Sequence, residues 1–99
     1  MAGYSLSVKA AAGLDGIHEY TILNFGLKQA QTYLSGLHEL FQTLAKNPLH
    51  GRSAGELSPG LRRLEYQSHN VFYKPRATRG KSVRIVRVLH QSMDIQKHV

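Results

Sequence analysis

The chain has 99 residues and no cysteine, so it is long enough for one hydrophobic core, and both a disulfide framework and a thiolate metal site are excluded. It shows no signal peptide and no apolar run long enough to cross a bilayer, and we expect residues 1–99 to form a single cytoplasmic domain. The whole excess of its +7 formal net charge comes from residues 51–99, where ten Lys or Arg accompany three acids, and this distribution favours an acidic partner.

The first 25 residues predict a short strand followed by a helix. Residues 4–8 alternate apolar and polar side chains, as a half-buried strand does. Ser7 can then cap a helix over residues 9–25. The apolar stripe of this helix comprises Ala10, Leu14, Ile17, Thr21 and Phe25. Gly13 and Gly16 each weaken the helix by about 1 kcal/mol relative to alanine, and close approach of a second helix would explain both.

A second helix is predicted over residues 27–46. Gly26 separates it from the first helix and is expected in a left-handed conformation, while Pro48 stops the second helix. Leu37 and Phe41 lie one turn apart in the middle of its apolar stripe, so we expect both to be buried. The two helices therefore form a hairpin whose apolar stripes need a further surface to cover them.

The second half of the chain predicts a sheet. Residues 49–60 are rich in Gly, Ser and Pro and are typical of a loop. Strands are predicted over residues 61–66, 69–74 and 83–89, and residues 91–99 can form a last helical turn. The predicted fold class is α+β: an N-terminal strand, a helical hairpin, a three-stranded antiparallel sheet and a short C-terminal helical turn.

The last predicted strand is apolar on both faces, which is typical of a central strand covered on both sides. Alternation assigns Val83, Ile85 and Leu89 to one face and Val86 and Val88 to the other. Arg84 and Arg87 interrupt this pattern, one in each set, so each guanidinium must reach water, a carboxylate or a phosphate.

No cofactor or metal site is predicted, because the six histidines share no ligand spacing and the six acids give no evident carboxylate pair. The predicted three-stranded antiparallel sheet does place basic side chains on adjacent strands, namely Arg62 or Arg63, Lys74, Arg84 or Arg87, and His90. Such a cluster could hold a scissile phosphate, with His90 as general acid or base, as in a metal-independent ribonuclease. The alternative, which we favour because spacing alone does not show which side chains share a face, is a basic sheet face that binds an acidic peptide.

The end of the chain resembles the ParE toxins of the RelE/ParE superfamily. The residues that carry the resemblance are Arg87-Val-Leu-His-Gln-Ser-Met-Asp94 followed by His98. Upstream segments in the same order and spacing as that family include Asn24-Phe25-Gly26, Gly60-Leu-Arg-Arg63 and His69-Asn-Val-Phe-Tyr73. The resemblance covers nearly the whole chain and implies the same strand, helical hairpin and antiparallel sheet.

The resemblance also implies a function: a toxin of a type II toxin-antitoxin pair that binds DNA gyrase, blocks replication and is neutralised by a ParD-like antitoxin. Partner contacts are then expected among Arg62, Arg63, Lys74, Arg84, Arg87, His90, Met93, Asp94 and His98. Sequence-specific DNA binding is not expected, because the helix-forming half has no net charge.

The alternative function is that of a RelE-like toxin, which cuts messenger RNA on the ribosome. Arg63, Arg87 and His90 would then be the catalytic residues. RelE-type catalysis commonly also uses a tyrosine close to the C-terminus, whereas the last tyrosine of this chain is Tyr73. This departure favours binding over catalysis, and we expect a toxin that is not an enzyme.

Overall fold

The computed structural model describes residues 3–78, 81–93 and 95–98, which form a five-stranded mixed sheet with a helical hairpin on one face. In chain order the elements are β1 (Tyr4–Leu6), α1 (Val8–Phe25), α2 (Leu27–Lys46), β2 (Arg52–Ser53), β3 (Arg62–Tyr66), β4 (His69–Thr78), β5 (Lys81–His90) and α3 (Ile95–His98). The α+β class, the N-terminal strand, the hairpin and the short last helix are therefore confirmed. No helix among these residues is long and apolar enough to cross a membrane.

Both helices of the hairpin begin close to the predicted residues. The Ser7 side chain caps α1 by accepting a hydrogen bond from the Ala10 N–H at 2.9 Å, and its hydroxyl donates to the Val86 carbonyl at 2.6 Å. The cap therefore also ties the start of α1 to β5. Gly26 has φ +92° and ψ 166°, so the positive φ is confirmed, but the residue is not in the left-handed helical region. Glycine readily adopts this conformation, and it separates the two helices with a single residue.

The sequence predicts a sheet of three strands, whereas the structure has five, in the order β1-β5-β4-β3-β2. β1 pairs parallel with β5, placing Tyr4 beside Val83. β2 lies inside the predicted 49–60 loop and pairs antiparallel with β3, placing Arg52 beside Arg63. A two-residue edge strand has no periodicity that could reveal it, and the β1 pairing joins residues almost the whole chain apart.

The predicted faces of the last strand are also partly wrong. The pairing of β4 with β5 shifts register between Phe72 and Tyr73, and a bulge of this kind changes which side chains face which side. Val83, Ile85 and Val88 consequently pack in the cluster beneath the helices. Leu89 and Val86 pack in a second cluster on the opposite face.

The two clusters cover the sheet on both sides. Leu37 and Phe41 are fully buried in the helix-side cluster, which confirms their predicted placement. The second cluster is centred on Phe72 and Leu89, and residues 54–61 and α3 cover it. A central strand covered on both faces explains why β5 reads as a nearly continuous apolar run.

Candidate functional site

Four of the predicted basic residues share the sheet face opposite the helices. Arg63 lies opposite Phe72, and Phe72 lies opposite Arg87 on the next strand. Lys74, two residues beyond Phe72, lies opposite Arg84. Because directly opposite residues project on the same side of a sheet, Arg63, Lys74, Arg84 and Arg87 form one group, which we call the outer basic face. All four are half-buried.

The Arg63 guanidinium has an incomplete set of partners. Its Nη2 donates to the Asn70 Oδ1 at 3.2 Å, and its Cζ lies 5.5 Å from the centre of the Phe72 ring. Its Nε is buried and has no hydrogen-bond partner among the described residues. A buried cationic N–H group without an acceptor is costly to the fold, and an anion that reached it would remove that cost.

Arg62 does not belong to the outer basic face. Its Nε donates to the Gly51 carbonyl at 3.1 Å, and its Nη2 donates to the Leu49 carbonyl at 3.3 Å. The loop after α2 is further fixed by Tyr73, whose hydroxyl accepts from the Gly51 N–H and donates to the Pro48 carbonyl. The geometry thus gives Arg62 a structural role in holding this loop against the sheet.

On the helix side, α1, the start of α2 and the end of β5 enclose a groove of about 810 Å³. The groove presents more apolar than polar surface. Its lining includes Gly13, Gly16, Ile17, Tyr20, Phe25, Tyr33, His69, Val88, Leu89, His90 and Met93. Several of these apolar side chains are well exposed, Tyr20 at 62%, Phe25 at 67% and Met93 at 46%. The predicted burial of Phe25 is wrong, because the groove, rather than the sheet, lies beside that end of α1.

The two glycines of α1 have different surroundings. A Cβ at Gly13 would lie 3.2 Å from the carbonyl oxygen of Val88, so β5, and not a second helix as predicted, approaches α1 closely there. A Cβ at Gly16 would have no atom within 4 Å. Nothing in the described structure therefore requires glycine at position 16, although it weakens the helix by about 1 kcal/mol relative to alanine.

His90 lies in the groove and not on the outer basic face. It pairs with His69 across the β4-β5 ladder, and the two rings are 5.3 Å apart. The His90 Nδ1 lies 2.7 Å from the Ser92 Oγ, and the His69 Nδ1 lies 2.6 Å from the Tyr33 hydroxyl. Burial, and secondarily the nearby His90, lower the pKa of His69 below its ordinary value of 6.5. The structure therefore separates His90 from Arg63, which lies on the other side of the sheet, whereas Arg87, opposite Phe72 in the ladder, also contributes to the lining of the groove.

The remaining predicted partner residues are near the C-terminus. Met93 lies at the rim of the groove, whereas Asp94 and the side chain of His98 lie outside the described residues. Sequence reasoning missed Gly16, Tyr20 and His69 as groove residues. Gly16 and Tyr20 are four residues apart, hence on one helical face, and this spacing is the signal that could have found them.

The family of the chain is shown by comparison with known proteins. The family described as "ParE toxin of type II toxin-antitoxin system, parDE" matches residues 4–95. The chain belongs to the ParE toxin family. It is 40% identical over 96 residues to Toxin ParE1 of Mycobacterium tuberculosis, covering 97% of this chain and 96% of that protein. It is 38% identical over 99 residues to Toxin ParE1 of Caulobacter vibrioides, covering 100% of this chain and 99% of that protein.

One further relative supports the same family, and a solved structure shows the same fold. Toxin ParE of Escherichia coli is 35% identical over 95 residues, covering 96% of this chain and 90% of that protein. A solved structure described as "Chromosomal ParDE TA system from P. aeruginosa" superposes with a TM-score of 0.73 at 21% identity, covering 91% of this chain and 96% of that one. The chain is thus a ParE toxin of a type II toxin-antitoxin system, as the resemblance predicted.

Proposed function

We propose that this ParE toxin inhibits DNA gyrase by binding it, and that a ParD-like antitoxin neutralises it in the cytoplasm. Family membership supports the toxin class. One structural observation supports binding over catalysis: Arg63 lies on the outer basic face and does not line the groove, whereas His90 lies in the groove. A general acid or base must lie within hydrogen-bond reach of the group it protonates, and the groups that stabilise charge must surround the same atoms.

The groove suits the antitoxin. The family is described by its toxin-antitoxin pair, and the solved relative from P. aeruginosa belongs to a ParDE system. An amphipathic segment could lay its apolar side chains along Tyr20, Phe25 and Met93, since all three are exposed at the groove. Gly16 lets the backbone of such a segment approach α1 closely. A partner of this kind would cover apolar surface that the free toxin leaves in water.

The charge of the toxin adds to this contact without dominating it. We expect the antitoxin segment to combine apolar anchors for the groove with acids that reach Arg and Lys side chains of the sheet. Its affinity should therefore fall only modestly between low and physiological salt, because salt screens charges but not apolar burial. A fall of several orders of magnitude over that range would show that the contact is mainly ionic.

A gyrase assay run beside a messenger RNA assay tests the proposal. Purified toxin, freed of antitoxin, should inhibit supercoiling and accumulate cleaved DNA, and it should leave ribosome-bound messenger RNA whole. Codon-positioned RNA cuts with unchanged gyrase activity would instead establish the RelE-like ribonuclease.

The ribonuclease remains the second candidate because of the outer basic face, which has the charge that a phosphate needs. Single substitutions separate the two functions. In a ribonuclease, Arg63→Ala, Arg87→Ala or His90→Gln should each lower cleavage by about a hundredfold or more while leaving substrate binding nearly intact. In a gyrase inhibitor the same substitutions should lower inhibition only as far as they lower binding.

A further inference from the structure

The outer basic face and the groove have opposite chemistry. The groove is apolar, whereas the outer face presents Arg63, Lys74, Arg84 and Arg87 around a covered apolar centre. The exposed large apolar side chains of the described residues lie on the hairpin, in the loop after it or beside the groove: Val8, Tyr20, Leu23, Phe25, Leu27, Leu49 and Met93. None of them lies on strands β2 to β5. The groove therefore suits the apolar anchors of a protein partner, whereas the outer basic face suits anions.

We propose that the outer basic face binds the phosphodiester backbone of nucleic acid without reading its sequence. This inference goes beyond the proposed function, because a toxin could inhibit gyrase through protein contacts alone. A specific protein interface has an apolar core from which charged residues are depleted, and this face offers no exposed apolar anchor among the described residues. Interfaces with nucleic acid are more polar and far more positively charged, and cations on phosphates supply most of their sequence-independent affinity.

The spacing of the cations fits an extended polyanion. Arg63 and Arg87 flank the same Phe72, and with neighbouring strands about 4.8 Å apart they lie about 10 Å from one another across the sheet. Lys74 and Arg84 form a second pair about 7 Å further along the strands. The four residues thus form two rows, and more than one phosphate can be contacted at once.

Arg63 gives this face a position that is ready to accept an anion. Its stem lies against Phe72 and one of its nitrogens is held by Asn70, which limits the side-chain freedom lost on binding. Arginine is suited to this ligand because its planar fork of donors matches phosphate geometry.

The acids near this face leave its charge largely uncompensated. Glu65 lies on the same face, two residues beyond Arg63, and it pairs with Arg52 at 3.4 Å. Glu56 is exposed in the loop that covers the second cluster. Among the described residues no other ion pair is formed, so none of the described carboxylates lies within ion-pair distance of the four cations of the outer basic face.

The test measures binding of the full-length toxin to labelled duplex DNA of arbitrary sequence between 50 and 200 mM salt. If four cations contact phosphates, the logarithm of affinity should fall against that of salt with a slope of about −3.6, a loss of about 150-fold over this range. The double variant Lys74→Ala/Arg84→Ala should bind more weakly at 50 mM salt. Its slope should be about −1.8, so that it loses only about 12-fold over the range.

A matched control removes the same charge from the other side of the molecule. The double variant Lys28→Ala/Lys46→Ala alters two exposed lysines of α2, and it should keep the wild-type slope. The proposal is overturned if the two double variants lose slope equally, because net charge alone would then explain binding. It is also overturned if folded wild-type toxin binds no nucleic acid at 50 mM salt.

Two further arms complete the experiment. Lys74→Arg/Arg84→Lys keeps both charges and should bind like the wild type, and failure to do so while still folded would contradict a contact made through charge.

Single-stranded RNA of equal length serves as a second probe. Tighter binding of duplex DNA identifies DNA as the source of the phosphates, whereas tighter binding of RNA identifies RNA and leaves the phosphodiester site in place. Either result can be obtained whether or not the toxin inhibits gyrase, so the two proposals fail separately.

Discussion

Substitution of Gly16 tests whether the groove is kept open for a partner. Alanine is more favourable than glycine inside a helix by about 1 kcal/mol, and a Cβ at position 16 would meet no atom within 4 Å. Gly16→Ala should therefore raise the unfolding free energy of the free toxin by about 1 kcal/mol. For a chain of this size that gain corresponds to roughly 4–8 °C in melting temperature.

A larger side chain at the same position separates folding from binding. Gly16→Leu should leave the free toxin at least as stable as the wild type, because leucine is also a good helix former and the added atoms extend into the groove. The same atoms occupy space that the antitoxin needs. We expect antitoxin affinity to fall at least tenfold, or about 1.4 kcal/mol, in calorimetric titrations.

Thermal unfolding and antitoxin titration of both variants decide the matter. A clearly less stable Gly16→Ala would show that α1 is packed at this position, contrary to the structure. Antitoxin binding by Gly16→Leu at wild-type affinity would exclude this part of the groove as the docking site. Leu23→Ala, at an 84% exposed position of the same helix that does not line the groove, serves as the control and should change neither property appreciably.

Three further predictions concern stability. Leu37→Ala removes a fully buried side chain and should lower the unfolding free energy by about 2–5 kcal/mol in urea titrations, so wild-type stability would refute its placement. Gly51→Ala should lower the melting temperature of the toxin strongly, because its Cβ would lie 2.6 Å from the Tyr73 hydroxyl and 2.7 Å from the Arg63 carbonyl oxygen. An unchanged melting temperature would contradict these contacts. The lowered pKa of His69 means that the unfolded chain takes up its proton first as the pH falls. The contribution of His69 to the unfolding free energy should be full above about pH 6.5 and decline below it. His69→Gln should flatten this decline of the unfolding free energy, whereas the control His50→Gln, at an exposed position, should not.

The helical hairpin could be predicted from the sequence because its signals are local. Ser7, Gly26 and Pro48 punctuate two stretches of helical periodicity, and these stretches bury the residues that the period selects. The exception is Phe25, which follows the period but lies beyond the part of α1 that the sheet covers. Periodicity identifies the face of a helix, and it does not reveal where the neighbouring layer ends.

The sheet was harder to predict because its pairing is not local. The β1-β5 ladder joins the two ends of the chain, and the register shift near Phe72 changes the faces of Val88 and Leu89. The same limit applies to the site. The sequence shows that Arg87 and His90 lie close together in the chain, but only the register and the His69 pairing place His90 on the groove side.

The stoichiometry of gyrase inhibition tests the central claim, action by binding, most directly. Toxin is titrated into a fixed amount of gyrase, and supercoiling and cleaved DNA are measured at each ratio. A toxin that acts by binding must be at least equimolar with gyrase to abolish supercoiling, and excess antitoxin added at the start should prevent the effect. Complete loss of gyrase activity at a small fraction of one toxin per gyrase would show turnover and contradict the account.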